Sequence, residues 1–160
     1  AKRPLADFFG GVLRRDIPIY YASGVRGNRP EEEIEHLQKL LGDSGARALK
    51  FRLGGRMNRN VDSLPGRTEA LIPLARKTFG DQMTLYADSN SSYDVPNAIR
   101  IGRIMEAHGY GFYEEPCPFD DLWETKEVAD ALKEQGEWRG EGAPPPAYDA
   151  KPYGKGQSGT

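Results

Sequence analysis

"TLYADSN", residues 84–90, decides how the rest of the chain is read. Leu85 and Ala87 alternate with Thr84, Tyr86, Asp88 and Asn90, the period of two that sends successive side chains to opposite faces of a strand. The run predicts a strand that is apolar on one side and ends, on the other, in a carboxylate and a carboxamide. Asp, Ser and Asn stop strands and open turns for purely local reasons. The alternative is that the strand end holds something, a cation first of all.

The flanking runs supply the context. "IPIYYAS" (17–23), "ARALKFRLG" (46–54) and "YGFYEEP" (110–116) are further strand candidates. Between and after the strands, 30–41, 66–80, 95–109 and 119–133 have helical character. Pro30 suits a first helical position and acids fill the first turn of "PEEEIEHLQKLL", whose Ile34, Leu37 and Leu41 form one stripe. The second helix carries Leu71, Leu74, Ala75 and Thr78 on one side, and Pro73 is expected to bend or delay it. The third turns Ile101, Ile104 and Met105 inward and stops at Gly109 in the left-handed conformation. Strands alternating with helices at this spacing predict right-handed crossovers and a parallel sheet. "GGVLRR" and "GGRMNR" lack the spacing and context of a phosphate loop.

Alternation sharpens the question about residues 84–90. Leu49, Phe51 and Leu53 share one face of the second strand, and Lys50 and Arg52 the other. In the fourth, Tyr110, Phe112 and Glu114 oppose Gly111, Tyr113 and Glu115. Helices cover the apolar face of such a sheet, so the polar sets point into a barrel interior or cleft. Ligand sites of these folds lie at the carboxyl ends of the strands. Lys50, Arg52, Asp88, Asn90 and Glu114 fall there together. Two carboxylates, Asp88 and Glu114, suit a hard divalent cation such as Mg2+, which takes oxygen ligands and keeps positions open for water or substrate. Lys50 and Arg52 beside them suit an anionic substrate, a carboxylate. Ordinary strand-end polar groups joined in salt bridges remain open as the other reading.

Composition limits the alternatives. At 160 residues the chain is short for a complete (β/α)8 barrel, which takes about 250, and is one domain's worth. Both signs of charge are interspersed around a net of −2, which argues against a nucleic-acid surface. The lone cysteine, Cys117, permits no internal disulfide and fits a reducing, cytoplasmic compartment. No long apolar run or targeting segment is visible, so no membrane role is expected. "AKRPLADFFGG" reads as the middle of a longer protein. After Lys133 the chain holds no Val, Ile, Leu, Met or Phe, so 134–160 is expected to be a disordered tail.

Residues 1 to about 133 resemble part of the mandelate racemase/muconate lactonizing group of the enolase superfamily. "RPLADFFGG" resembles the stretch leading from that family's capping domain into its barrel, and "YYASG" its first barrel strand. "ALKFRLGG" stands where the family has Lys-x-Lys, "YADSN" resembles its Asp-x-Asn motif, and "FYEEP" its Glu-Glu/Gln-Pro motif. The resemblance implies an α/β fold, a partial TIM-type barrel of about four βα units over 16–133, with 1–15 as linker. It implies Asp88 and Glu114 as Mg2+ ligands, Asn90 and Glu115 beside the metal, and Lys50 and Arg52 as the catalytic pair. The implied chemistry is abstraction of a proton alpha to a carboxylate, with charge held on an ene-diolate.

Two departures refine this. Arg52 replaces the second lysine of Lys-x-Lys, and an arginine, protonated to above about pH 12, is a poor base. Two-base racemisation is therefore disfavoured, and dehydration of an acid sugar fits better. The third metal ligand of the family, on a fifth strand, has no counterpart in "EQGEWRGEGAPPP", where Glu137 and Glu141 lack a strand-like context. The chain is thus expected to be inactive alone; a non-catalytic barrel fragment that self-associates through open sheet edges, or pairs with a longer homologue, is the other expectation. His36, His108, Cys117 and "PEEEIEH" are read as structural or solvated, "RGNRP" (26–30) as a plain connection in preference to a mobile loop that contacts substrate, and Trp123 as a core anchor.

Overall fold

The computed structural model describes residues 2–133 apart from positions 43 and 58. The predicted tail at 134–160, with Glu137 and Glu141, lies outside the described residues. A 3-10 turn at Leu5–Phe9 precedes a regular alternation: β1 (Tyr21–Ala22), α1 (Pro30–Leu41), β2 (Ala48–Arg52), α2 (Arg67–Phe79), β3 (Thr84–Asp88), α3 (Val95–Ala107), β4 (Phe112–Glu114) and α4 (Leu122–Lys133). The four strands form one parallel sheet in the order β1-β2-β3-β4. Among the described residues no helix is long and apolar enough to cross a membrane.

One face of the sheet is the core. Leu49, Phe51, Leu53, Leu85 and Ala87 are fully buried there, under Leu37, Leu71, Ile72, Ala75, Ile101 and Met105 of the helices. Each large side chain so buried contributes about 1.5–3 kcal/mol relative to exposure, which fixes the face that each strand presents. A one-residue slip would turn every one of these side chains toward solvent. At the lower end of the sheet the Arg76 guanidinium donates to the carbonyls of Gly80, Met83, His108 and Gly109, tying the end of α2 to the end of α3.

Several expectations are corrected. β1 is two residues long, not seven; Ile17 and Ile19 are exposed, and Pro18, which has no backbone N–H, cannot donate to a ladder. Tyr110 does not share a face with Phe112 and Glu114. It precedes β4, stacks edge-to-face on Phe51 at 5.8 Å and donates its hydroxyl to the Ile72 carbonyl in the core. Thr78 is exposed, and Ile72 takes its place on the buried side of α2. Pro73 sits inside α2 without delaying its start.

Trp123 is exposed, not a core anchor. Val128 and Leu132, one turn apart, carry the packing of α4, and Trp123 lies about 140° around the helix from Val128. "PEEEIEH" is not wholly solvated either. Glu33, one turn before Leu37 on α1, is fully buried.

Candidate active site

On the face away from the core, the register brings Lys50 beside Tyr86, and Arg52 beside Asp88 with Asp88 beside Glu114. Below them Tyr20, Tyr86 and Phe112 stack edge-to-face in a row, with centroids 5.6 and 6.0 Å apart. The long Lys50 side chain rises past this row. Its ammonium stands 5.5 Å over the Tyr20 ring and donates to Glu114 Oε2 and, at 3.4 Å, to Asp88 Oδ2. The Arg52 guanidinium donates to the same Asp88 oxygen and, at 2.9 Å, to Asn90 Oδ1. The other Asp88 oxygen accepts the Asn90 backbone N–H at 2.9 Å, the local turn that ends the strand.

Asp88 and Lys50 are both buried, at 1% and 7% exposure. Burial works to lower the Lys50 pKa, but the Glu114 and Asp88 carboxylates outweigh it and the net shift is upward. Lys50 therefore stays a cation at neutral pH. It can hold negative charge but cannot accept a proton there.

Beyond the strands the ladder continues through loops. Leu53 donates to the Asp88 carbonyl, Ser89 to Glu114, Met57 to Asn90 and Ser91 to Glu115, at 2.8–3.0 Å. These bonds hold an unusual backbone. Arg56, Met57, Asn90, Ser91 and Glu115 have φ between 41° and 60°, left-handed values that cost on the order of 1–3 kcal/mol each in non-glycine residues and gather at functional sites. The left-handed turn at Glu115 has a direct consequence. Strict alternation puts Glu115 on the face opposite Glu114, yet its carboxylate comes round to accept Asn90 Nδ2 at 2.9 Å.

Reading the sequence alone missed two supports. Glu33 accepts the Ser23 hydroxyl at 2.5 Å and Asn28 Nδ2 at 2.9 Å, pinning the loop after β1. Arg67, 1% exposed, donates to the carbonyls of Asn28 and Arg52 from behind the site. A charge inside the apolar stripe of α1 was the signal for Glu33. Nothing in "GRTEAL" signalled Arg67. Arg26, in the loop preferred as a plain connection over a substrate-contacting one, donates to Asn90 Oδ1 and reaches the same mouth. Cys117 is buried and its thiol is pushed up to about 12, by burial first and then by Glu124 and other nearby acids.

All six predicted residues thus meet at the carboxyl ends of β2, β3 and β4. For Mg2+ the donor set fits in part. Asp88 and Glu114 already converge on one cation, the Lys50 ammonium, and one or two carboxylates with water and substrate are a usual Mg2+ shell. Among the described residues, no three His, Cys, Asp or Glu side chains form a metal-binding group.

Known proteins share this arrangement of strands and helices. A racemase candidate from Roseobacter denitrificans superposes with a TM-score of 0.68 at 42% identity, over 71% of this chain and 31% of that one. A mandelate racemase/muconate lactonizing protein from Paracoccus denitrificans PD1222, in complex with magnesium, gives 0.71 at 27% identity, over 78% and 34%. Arabinonate dehydratase from Saccharolobus solfataricus is 24% identical over 83% of this chain and 34% of its own. The chain therefore spans about a third of the length of these relatives.

A shorter similarity of another kind is also present. Over 65 residues, 36% of this chain, it is 42% identical to the cytochrome c-type biogenesis protein CcmE of Caulobacter vibrioides, spanning 40% of that protein. A match of that extent assigns no family. The family model described as enolase C-terminal domain-like matches residues 32–136, well over half of the chain, and the chain belongs to that family.

Proposed function

We propose that these residues are the β2–β4 part of the active site of a Mg2+-dependent enzyme that removes a proton alpha to a carboxylate, an acid-sugar dehydratase. One observation carries the reading: Asp88 and Glu114, register partners on adjacent strands, aim at a single cationic point at the strand ends. When bound there, Mg2+ supplies Lewis-acid stabilisation of the substrate carboxylate as negative charge grows on it. Lys50, freed from Glu114, donates to that carboxylate, and its low exposure strengthens the interaction. Asn90 spaces Arg52 from Glu115 and holds both in place. Arg52 supplies fixed positive charge but no base, which favours dehydration from the opposite face over two-base racemisation. The similarity to arabinonate dehydratase supports the same choice, and the single buried cysteine fits a reducing, cytoplasmic setting.

Among the described residues no three His, Cys, Asp or Glu side chains form a metal-binding group, so Asp88 and Glu114 are the two ligands to be tested. The test is thermal unfolding with Mg2+ titrated into the parent, Asp88→Asn and Glu114→Gln. Ligand at a hundredfold excess over its dissociation constant stabilises the folded state by about 2.7 kcal/mol. Stabilisation of the parent and not of the variants supports the reading; equal responses, or none, reject it.

A second reading is favoured by the sheet itself. Among the described residues β1 and β4 each have one strand neighbour, and Ile17, Ile19 and Phe112 are exposed near them. Open edges of this kind invite association with a second copy or a longer homologue. Sedimentation separates the two: one defined species for an enzyme-like domain, a concentration-dependent series for an associating sheet.

A further inference from the structure

Among the loops that follow β1, β2, β3 and β4 lies a polar cavity of about 380 Å3. Three arginines line it, Arg26, Arg52 and Arg56, against a single acidic residue, Glu115. The oxygen of the Asn90 carboxamide between them is already taken, accepting from Arg26 and Arg52, and its nitrogen donates to Glu115. The Nε atoms of Arg26 and Arg52 are nevertheless buried and without any acceptor. Arg56 is exposed and makes no side-chain hydrogen bond or ion pair among the described residues, although its backbone is held left-handed at φ 58° by a bond from its N–H to Ser92 Oγ at 3.0 Å. Like charges are thus gathered around one space with donors unspent, an arrangement that an oxyanion would relieve and a neutral group would not.

We propose that Arg26, Arg52 and Arg56 form a subsite for a second anionic group of the ligand, a carboxylate or phosphate at the end of the molecule remote from the Asp88–Glu114 pair. Arg52 joins the two regions, since its Nη1 donates to Asp88 while its Nε remains unpaired. The ligand class is then a sugar acid with a charged group at both ends, in preference to one ending in a hydroxymethyl group. This choice of ligand rests on the acid-sugar reading above; the anion subsite itself does not depend on the metal.

The experiment is calorimetric titration of the full chain at low ionic strength with gluconate, glucarate and 6-phosphogluconate, which differ only in what terminates the sixth carbon. The two probes with an anionic group at each end are expected to bind about ten- to hundredfold more tightly than gluconate, the advantage of charge-assisted hydrogen bonds. Salt should erode that margin. Arg26→Gln and Arg56→Gln should each shrink it, and Arg56→Gln, at an exposed residue, should leave gluconate binding unchanged. Arg56 is exposed, so Arg56→Gln carries the test if Arg26→Gln fails to fold by circular dichroism. A larger gain for glucarate assigns a carboxylate subsite, and for 6-phosphogluconate a phosphate subsite.

Equal binding of all three probes, no binding of any at millimolar concentration, or a margin untouched by Arg56→Gln overturns the proposal. Repeating the series with and without Mg2+ separates it from the metal reading. A terminal-anion preference that persists when Mg2+ fails to bind leaves the subsite standing and removes the metalloenzyme. Mg2+ binding with no such preference does the reverse.

Discussion

Replacing Lys50 by methionine tests the electrostatics of the site most directly, because it removes a charge and keeps the stem that crosses the Tyr20 ring. In the parent the ammonium neutralises two carboxylates at once, one of them 98% buried by side chain (2% exposed) and the other 32% exposed. Stranding a fully buried charge by deleting its partner costs about 3–5 kcal/mol. Asp88 keeps Arg52 and the Asn90 N–H, and Glu114 is open enough to be rehydrated, so both discounts apply. The expected loss is about 1–3 kcal/mol in the absence of metal.

At this chain length each kcal/mol corresponds to roughly 3–6 °C in Tm. The measurement belongs near pH 7. The Lys50 pKa is raised by folding, so its contribution is fully present below the ordinary lysine range and fades only as pH climbs past the folded value. Mg2+ should then stabilise Lys50→Met more than the parent, since no ammonium competes for Asp88 and Glu114. Unfolding in urea with and without Mg2+ reads both effects. A variant within about 0.5 kcal/mol of the parent, or an equal Mg2+ response in both, refutes the reasoning.

Three further outcomes follow from the packing. A Cβ on Gly54, at φ 63°, would fall 2.4 Å from Ser92 Cβ and Oγ, so Gly54→Ala should cost roughly 2–4 kcal/mol from backbone strain and overpacking together; an unchanged urea midpoint would contradict the tight approach of the loops after β2 and β3. Asp94 caps α3 by accepting the Asn97 N–H at 3.1 Å, and hydrogen bonds from Asn97 and Asn60 hold its pKa down. Asp94→Ala should lose about 1 kcal/mol at pH 7. Because the folded pKa is depressed, the difference between parent and variant should vanish as pH falls below the ordinary aspartate range, and a pH-independent difference would reject the capping role. Cys117, with its thiol pushed up to about 12, should resist alkylation at pH 8 in the native chain and react only as fast as the chain unfolds; rapid labelling of folded protein would show that it is neither buried nor neutral.

The alternation of Leu85 and Ala87 with Tyr86 and Asp88 was enough, by itself, to assign faces to β3, and the same period in "ALKFR" did so for β2. Periodicity works there because one face must be buried, and burial leaves a two-residue signature in the chain. From those faces came the convergence of Lys50, Arg52, Asp88 and Glu114, and the family resemblance followed from their order. Local pattern failed where backbone turns left-handed or where a charge is buried by its neighbours. Glu115 reaches Asn90 only because its φ is 45°, a value that its place in "FYEEP" does not announce.

Arg26 and Arg56 are thirty residues apart and become neighbours only when β1 pairs with β2. Glu33 is buried because Ser23 and Asn28 of another segment meet it. The sequence alone determined which side chains share a strand face, since that depends on steps of two along one chain. Tertiary structure alone decided which loops share a cavity, since that depends on strand order and on turns whose geometry is held by hydrogen bonds from distant residues.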